Sequence, residues 1–536
     1  MIVLRTGVTD GATGAGALLR FALRRERFTL PWWLLGLGLL LAFQSVASQR
    51  FYDTAAKLAQ LRATVGANAA AVAMSGPTLL LDTIGGEIVF EIFAYLAIVV
   101  ALMNMFLIGR HTRSDEETGR AELIRSARVG RRAPAAAALT LAGLADAAVV
   151  PVVSGVAIGT GLPVGGSLLL GVAVAGVGFS FAAVTTMAAQ IFENPRSVYG
   201  SVTLAIAAAY VVRAVGDVGT GALSWLSPIG WGQRTYPFVA DRWWPVLLFG
   251  AASAVFVVIA FALLERRDFG AGLLTYGSGR AHASWALGSP LGLVWRLQRG
   301  SFAAWCFGVF GLGAAYGSFA ESIEQYLADN PEIAAWIPGG AEDVVASYLA
   351  LAVSITALLA AAYGITSVLR ARAEETAGRA EALLAPPVSR TTWLASQVTM
   401  ALAGSAAVSA VGGVGVGLAH SLAVGDPTQL PRMIGAAFGY VPAVWLVVAV
   451  AAVGFGRVPG IVAPLAWTAF SYCAVALMFT DSFDLPAWFD AASPFAHTPR
   501  LPLEDLTAAP ILTMLAILAA ALLAAFTGFR RRDVGY

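Results

Sequence analysis

Twelve stretches of roughly 20 apolar residues, each long enough to cross a bilayer as an α-helix, alternate along this chain with polar segments. Inside a bilayer there is no water to bond the backbone, so such a segment must satisfy its own N–H and C=O groups as a helix. The sequence therefore predicts an all-α polytopic membrane protein. The predicted spans lie near residues 29–47, 88–109, 133–158, 164–190, 197–215, 244–264, 301–319, 347–369, 392–420, 433–455, 458–480 and 509–528.

Composition agrees with this class and argues against others. Hydrophobic residues make up 58% of the chain and charged residues 12%, and the mean hydropathy is +0.74. The arginines lie at span ends and not in one patch, so no nucleic-acid partner is expected. Cys306 and Cys473 fall in apolar segments, and the four histidines are scattered. Neither a disulfide framework nor a metal site is expected.

A charged segment occurs twice, half a chain apart. Residues 113–131 align without gaps on residues 372–390, with eight of nineteen positions identical at an offset of 259. The identical pairs are Arg113/Arg372, Glu116/Glu375, Gly119/Gly378, Arg120/Arg379, Ala121/Ala380, Glu122/Glu381, Val129/Val388 and Arg131/Arg390. Both halves also end on Arg-Arg-Asp-x-Gly, at residues 266–270 and 531–535. An internal duplication is predicted, with halves at 1–275 and 276–536.

Each half holds six predicted spans, and because six is an even number the halves are expected to be parallel repeats. Residues 110–132 carry seven arginines, whereas residues 318–346 carry six acids and no Lys or Arg. The positive-inside rule then places the repeated segment, and both termini, on the cytoplasmic side of the cell membrane.

Elements outside the spans can also be predicted. Apolar residues at 18, 19, 22 and 23 face away from Arg20, Arg24 and Arg27, which predicts an amphipathic helix in the membrane surface before the first span. A weaker echo, with Arg296 and Arg299, precedes the seventh span. Two long outward loops, at 217–243 and 481–508, carry aromatic residues suited to short helices anchored at the outer interface.

The repeated segment is expected to form a short cytoplasmic helix in each half, at about 112–126 and 371–385. In each copy a glutamate precedes an arginine by four residues, a spacing that stabilises an isolated helix. The bland interpretation is a solvated loop of charges. The orientation of the chain in the membrane requires arginines only. A glycine and a glutamate recur with them, and this favours a docking surface. The candidate docking residues are Glu116, Glu117, Gly119, Arg120, Glu122, Glu375, Gly378, Arg379 and Glu381.

These features resemble the permeases of ATP-binding-cassette (ABC) exporters of the type 2 class, in particular tandem-fused actinobacterial permeases linked to export of polyketide antibiotics and drugs. The resemblance is carried by the paired Glu-Glu…Gly-Arg-Ala-Glu segments, by Val388-Ser389-Arg390 and by the Arg-Arg-Asp-x-Gly half endings. It implies an elbow helix before the first span, coupling helices that dock on an ATPase, and export of a small lipophilic molecule through the membrane. It also implies two copies of a separate ATP-binding subunit.

A phosphate-binding loop needs Gly-x-x-x-x-Gly-Lys followed by Ser or Thr, and the one lysine, Lys57, lies in a predicted outer loop. The chain itself is therefore expected to be no enzyme and to hold no catalytic, metal or cofactor-binding residues, so that ATP and Mg²⁺ would bind to the partner. A proton-coupled transporter of the major-facilitator type, also twelve spans in two parallel halves, is the alternative. A membrane glycosyl or acyl transferase is a third, but the acidic outer residues 320–345 show no catalytic pattern.

One ionisable pair stands out inside the predicted spans. Glu87 and Glu91 lie four residues apart at the outer end of the second span, and intramembrane carboxylates are costly. Glu87 is expected at the interface, whereas Glu91 lies about 6 Å deeper by helix rise. The hypothesis is that Glu91 lines the substrate path and favours cationic or hydroxyl-rich molecules. The alternative is a carboxyl satisfied by neighbouring helices or loops.

Overall fold

The computed structural model describes residues 10–268, 270–274, 282, 285–329, 340–384, 388–479, 486–504 and 507–533. The side chains of residues 321–343, which hold the acids of the predicted outer segment, lie outside the described part. The chain divides into two compact units, Met1–Ser278 and Gly279–Tyr536. The parallel relation between the two halves stays a prediction.

Unit 1 consists of helices joined by short turns. Its α-helices are α1 (Ala15–Glu26), α2 (Thr29–Phe51), α3 (Ala55–Thr64), α4 (Ala69–Ser75), α5 (Ile84–His111), α6 (Arg113–Glu117), α7 (Arg120–Arg125), α8 (Ala133–Gly159), α9 (Val164–Ile191), α10 (Pro195–Val218), α11 (Pro228–Gln233) and α12 (Val246–Arg266). Short 3₁₀ helices lie at Asp10–Ala12, Val65–Ala67, Thr78–Asp82 and Leu223–Leu226.

Unit 2 is built in the same way. Its α-helices are α13 (Pro290–Asp329), α14 (Gly340–Thr376), α15 (Arg379–Leu384), α16 (Arg390–Val424), α17 (Gln429–Gly439), α18 (Val441–Arg457), α19 (Val462–Phe479), α20 (Ala487–Ala491) and α21 (Ala508–Arg531). The 3₁₀ helices are Trp285–Gly288, Pro459–Ile461 and Pro494–His497. The side chain of Ser389 caps α16 by accepting a hydrogen bond from the Thr392 N–H, as expected of a residue at that position.

Twelve helical segments of the described residues are long and apolar enough to cross a membrane, which confirms the predicted all-α polytopic fold. They are α2, α5, α8, α9, α10 and α12 in unit 1, and α13, α14, α16, α17 with α18, α19 and α21 in unit 2. The protein is therefore a multi-pass membrane protein.

Each unit has inner and outer spans. In unit 1, 72% of the most apolar part of α5 and of α9 is buried, against 17% for α12. In unit 2 the same part of α17 and α18 is 72% buried, against 17% for α13 and α21. A helix that is apolar all round is stable in either place, because lipid tails are as apolar as a protein core. The outer spans therefore leave most of their side chains exposed on the surface of their unit.

Small residues let neighbouring helices approach closely. Along α13, Gly313 and Gly317 face the backbone of α16, where a Cβ at Gly313 would lie 2.6 Å from the Gly412 carbonyl oxygen. On α16, a Cβ at Gly404 would lie 2.5 Å from the Tyr363 ring of α14. Glycine pairs of this kind allow the backbone-to-backbone packing that holds helices together in lipid.

The amphipathic helix predicted before the first span is confirmed as α1, but its echo is not a separate element. In unit 1 the chain turns at Arg27 and Phe28 between α1 and α2. In unit 2, α13 is one helix of 40 residues that runs through the expected boundary. Pro290 lies at its start, and no proline or left-handed glycine interrupts its described residues.

The outward loop of unit 1 contains short helices, as predicted, but much of it is buried in protein. Ser227, Gln233 and Thr235 are fully buried, and the Gln233 amide donates to the Ser75 carbonyl. Anchoring of the loop aromatics at the outer interface stays a prediction. Trp243 of unit 1 and Trp488 of unit 2 are 50% and 69% exposed, as interfacial anchors would be.

Candidate functional site

The repeated segment is interrupted by a left-handed glycine and does not form one helix over 112–126 or 371–385. In unit 1, Gly119 has φ 73° between α6 and α7. In unit 2, Gly378 has φ 70° between α14 and α15. A side chain at either glycine would meet nothing within 4 Å, so the glycines recur because the backbone needs positive φ. Close docking is not required to explain them.

Because the helix breaks at the glycine, the expected pairing of Glu116 with Arg120 is wrong. The Glu116 carboxylate instead accepts hydrogen bonds from Arg113 at 2.8 Å and from Arg267 at 2.6 Å. Arg120 pairs with Asp115 at 3.6 Å. Arg113 is fully buried and also donates to backbone carbonyls, so this cluster lies inside unit 1 and is not a solvated surface.

Unit 2 repeats the arrangement. The Glu375 carboxylate accepts from Arg532 at 2.5 and 2.9 Å and from Arg372 at 3.3 Å. Arg379 binds Glu374 at 2.6 and 3.1 Å, in place of the expected pairing with Glu375. Glu375 is 4% exposed.

One further arginine completes each cluster. Arg131 donates to the Arg267 carbonyl in unit 1, and Arg390 donates to the Arg532 carbonyl in unit 2, the latter at 2.8 Å. We refer to each set as the arginine clasp: Arg113, Glu116, Arg131 and Arg267 in unit 1, and Arg372, Glu375, Arg390 and Arg532 in unit 2. The clasp explains why three identical pairs recur in the repeated segment: Arg113/Arg372, Glu116/Glu375 and Arg131/Arg390. It also explains why both halves end on Arg-Arg-Asp-x-Gly. It ties the end of the second span of each unit to the end of its last span.

A second set of ion pairs ties α1 to the same place in unit 1. Glu26 accepts from Arg110 at 2.8 Å and lies 2.9 Å from the His111 ring, and Arg25 donates to Asp115 at 2.9 Å. Burial alone would raise the pKa of the Glu26 carboxyl, but the His111 hydrogen bond and the Arg110 charge hold it below its ordinary value. Glu26 therefore stays ionised at neutral pH and fixes α1.

The clasps leave only part of the candidate docking set free to meet a partner. Glu117, Glu122 and Glu381 are exposed, and so is Leu123 of α7, at 76%. Sequence reasoning missed Leu123, although an apolar residue inside a charged cytoplasmic segment was a signal for it. An exposed leucine beside an exposed glutamate is a suitable composition for the centre of a contact surface.

The two outer carboxylates differ in burial. Glu87 is 1% exposed and is enclosed by protein at the start of α5, and its expected position at the membrane interface stays a prediction. The loop residues Phe238 and Val239 cover the start of α5 and bury it. Glu91 is half-buried near Tyr52. Its role in a substrate path stays a hypothesis.

Comparison with known proteins decides the family. Residues 287–530 match the family model "Multidrug efflux system permease Rv1217c, C-terminal domain". Over 529 residues the chain is 39% identical to the multidrug efflux system permease protein Rv1217c of Mycobacterium tuberculosis, which covers 98% of this chain and 96% of that protein. The chain belongs to the multidrug efflux system permease family. The expected efflux-permease role is thereby confirmed, and the protein is a transporter.

Intramembrane polar groups that sequence reasoning missed lie in unit 1 of this permease. On α10, Arg213 is fully buried, donates to the Met74 carbonyl at 3.0 Å and lies 3.6 Å from Asp217. Arg234 and Ser224 of the outward loop also bond Asp217, at 3.2 and 2.6 Å. The signal was available, since an arginine and an aspartate four residues apart interrupt the end of an apolar span. Their contacts assign them to holding the outward loop.

A second missed pair lies at the centre of unit 1. The Asn104 amide on α5 donates to the Asp146 carboxyl on α8 at 2.8 Å, and both side chains are buried. A Cβ at Gly178 of α9 would lie 2.5 Å from that carboxyl oxygen, so the three helices meet here. A single aspartate inside an apolar span was the available signal.

Proposed function

We propose that this permease is the membrane subunit of an ATP-driven exporter of the type 2 ABC class, with both membrane halves in one chain. Two copies of a separate ATP-binding subunit would bind ATP and Mg²⁺ and supply the work. The cargo would be lipophilic drugs, antibiotics or lipid-like molecules leaving the cell. The observation that carries this proposal is that in each unit a short helix, α7 or α15, follows the end of the second span, and an arginine clasp ties that end to the end of the last span.

The clasp gives the proposed coupling a physical route. A load on α7 is transferred through Glu116 to Arg267 at the end of α12 as well as to α5. The same holds for α15, through Glu375 and Arg532, at the end of α21. A movement of the ATPase would therefore act on two spans of a unit together and shift them as a rigid body. The seven arginines of residues 110–132 support a cytoplasmic position for these helices and for both termini.

The chain purified alone is expected to hydrolyse no ATP, because it has no phosphate-binding loop and its one lysine lies in α3, far in sequence from any glycine-rich turn. ATP turnover should appear on reconstitution with the ATP-binding subunit. The measurement is phosphate release by the chain in lipid nanodiscs, with and without the partner. Sustained ATP turnover by the chain alone would contradict the assignment.

The buried Asp146 carboxyl favours one alternative, a proton-coupled transporter, since intramembrane carboxylates serve as proton carriers in such proteins. Vesicle transport separates the two functions. An exporter of the proposed class needs ATP and the partner and should keep working when a protonophore collapses the proton gradient. Transport by the chain alone, driven by an imposed pH gradient, would select the alternative.

Replacing Glu91 by glutamine is expected to reduce export of a cationic substrate selectively, because removal of a half-buried carboxylate removes a counter-charge from the proposed path. Ethidium and a neutral dye of similar size, followed in the same vesicles, provide the comparison. Tyr95→Phe, one helical turn further along α5 and half exposed, is a control that leaves the carboxylate in place. Equal loss for both dyes would assign Glu91 to structure, and unchanged export would remove it from the mechanism.

A further inference from the structure

A crevice of about 830 Å³ opens in unit 2 between two of its outer spans. The two spans, α19 and α21, both pack on α18 and leave a gap between them, and the outward loop around Pro494 and His497 closes one end. Leu465 of α19 and Ile517 of α21 stand at its edges and are 38% and 54% exposed. The crevice is therefore open on the outer side of unit 2 and is large enough for a drug-sized molecule.

The same place in unit 1 is filled. The loops align on Ser227-Pro228 and Ser493-Pro494, which sets Trp231 opposite His497. The last spans align on their Arg-Arg-Asp endings, which sets Phe249 opposite Met514. In unit 1, Trp231 and Phe249 pack edge to face with ring centroids 5.7 Å apart, and Phe249 also covers Gly176 of α9.

In unit 2 the two smaller counterparts line the crevice. His497 and Met514 both lie in its wall, and His497 is turned to the Ala491 carbonyl at 2.7 Å. The exchange of two aromatic rings for an imidazole and a thioether leaves the space that the rings fill in unit 1. Methionine is suited to such a wall, because its side chain adapts to different shapes and its sulfur makes favourable contacts with aromatic rings.

The chemistry of the wall selects the ligand. The described residues that line the crevice include no Asp, Glu, Lys or Arg, and most are Ala, Val, Leu or Ile. The Tyr472 hydroxyl, also in the wall, is engaged with the Phe489 carbonyl. A ligand with a net charge would lose its hydration here without gaining an opposite charge, which is costly. An aromatic ligand would restore the ring packing that unit 1 supplies from its own side chains.

We propose that this crevice is a binding site for neutral, largely aromatic lipophiles that enter from the bilayer as cargo. Cargo status rests on the export function proposed above, whereas binding does not. In unit 1 the aromatic pair closes the counterpart of this crevice. The crevice is distinct from the carboxylate path proposed around Glu91 on α5.

Benzophenone tests the site, since it is a neutral aromatic lipophile that inserts into nearby C–H bonds on illumination. The full chain in lipid nanodiscs, without ATP or partner, would be illuminated with increasing benzophenone and mapped by mass spectrometry. Two methionines act as internal reporters: Met514, 3% exposed, in the crevice wall, and Met478 of α19, 48% exposed, outside it. With increasing benzophenone concentration in the bilayer, labelling is expected to reach a plateau at Met514 and to rise linearly at Met478.

Filling the crevice from two different walls provides the decisive variants. His497→Trp restores the residue of unit 1, and Ala469→Leu adds volume from α19; each is expected to abolish the saturable labelling of Met514. Leu512→Phe, at a 64% exposed position of α21, is the matched control and should leave it unchanged. Gel filtration and the labelling of Met478 would identify a misfolded variant. The two substitutions fill the crevice from different elements, so misfolding of one leaves the other as a test.

Three outcomes would overturn the proposal. The first is linear labelling at Met514, as at Met478. The second is saturable labelling that persists in both filled variants. The third is labelling of Met514 only after lipid is stripped away, which would show that a lipid acyl chain occupies the crevice in the membrane. The labelling experiment contains neither ATP nor the partner. Its outcome is therefore independent of whether export is driven by ATP, which the phosphate-release and vesicle experiments test.

Discussion

Replacing Glu375 by alanine is expected to lower the free energy of unfolding by about 3–5 kcal/mol, the usual cost of removing one partner of a buried ion pair. Glu375 is 4% exposed and holds Arg532 by two hydrogen bonds. Arg532 also lies over the Phe455 and Phe529 rings, at 5.0 and 4.9 Å, and cannot move to water without leaving them. Without the carboxylate, a buried guanidinium is left without its counter-charge.

The measurement is unfolding of the purified chain in mixed detergent micelles by a denaturing detergent titration. Glu381→Ala is the matched control, since this glutamate lies six residues along the same segment but is exposed, and a change within about 0.5 kcal/mol is expected for it. Glu116→Ala should reproduce the loss in unit 1, because Glu116 makes the same contacts there. A Glu375→Ala variant as stable as the control would mean that the clasp has no structural role.

Exchange of Glu122 and Glu381 for alanine together is expected to leave the chain folded but to weaken binding of the ATP-binding subunit by at least about 2 kcal/mol, roughly thirtyfold in Kd. Both side chains are exposed, so their loss removes no internal contact. A carboxylate that becomes buried against a basic partner surface loses much more when it is removed, because the partner's charge is then left unpaired. ATP-driven export should fall in the same variant.

The measurement is titration of nanodiscs holding the permease with the ATP-binding subunit, followed by export in vesicles. Asp53→Ala is a suitable control, since Asp53 is exposed and pairs with Lys57 on the segment between the first two spans. Leu123→Ala tests the apolar part of the same surface. Unchanged assembly and export in the double variant would show that the exposed glutamates are solvated charges with no role in docking.

Several predictions from sequence were correct because they depend on interactions between residues close together in the chain. A run of apolar residues long enough to cross the bilayer has to be helical whatever its neighbours do, and all twelve predicted spans are helices. The amphipathic α1 and the Ser389 cap follow from side chains within one or two turns of each other. The family resemblance was likewise carried by short segments of sequence.

The predictions that failed depended on neighbours distant in sequence. Glu116 was paired with Arg120 on the assumption of a continuous helix, yet Gly119 turns the backbone and Arg267 lies 151 residues away. The burial of Glu87 was not predicted, and the loop residues Phe238 and Val239 lie against Gly85 and Gly86 beside it. In the sequence, Leu123 is an apolar residue in a charged segment and Asp146 is a charged residue in an apolar span. Only the structure shows that Leu123 is exposed and Asp146 is buried.

The sequence by itself determined the number of spans and the position of the repeated segment, since both follow from residue types along a continuous stretch of chain. The left-handed turns at Gly119 and Gly378 appeared only in the structure. The tertiary structure decided which charges are buried, which remain available to a partner, and where the crevice of unit 2 opens. Charge pairing and cavity volume depend on the residues that surround a group in space. Helices that pack in lipid bring together residues 150 or more positions apart, as in the two clasps.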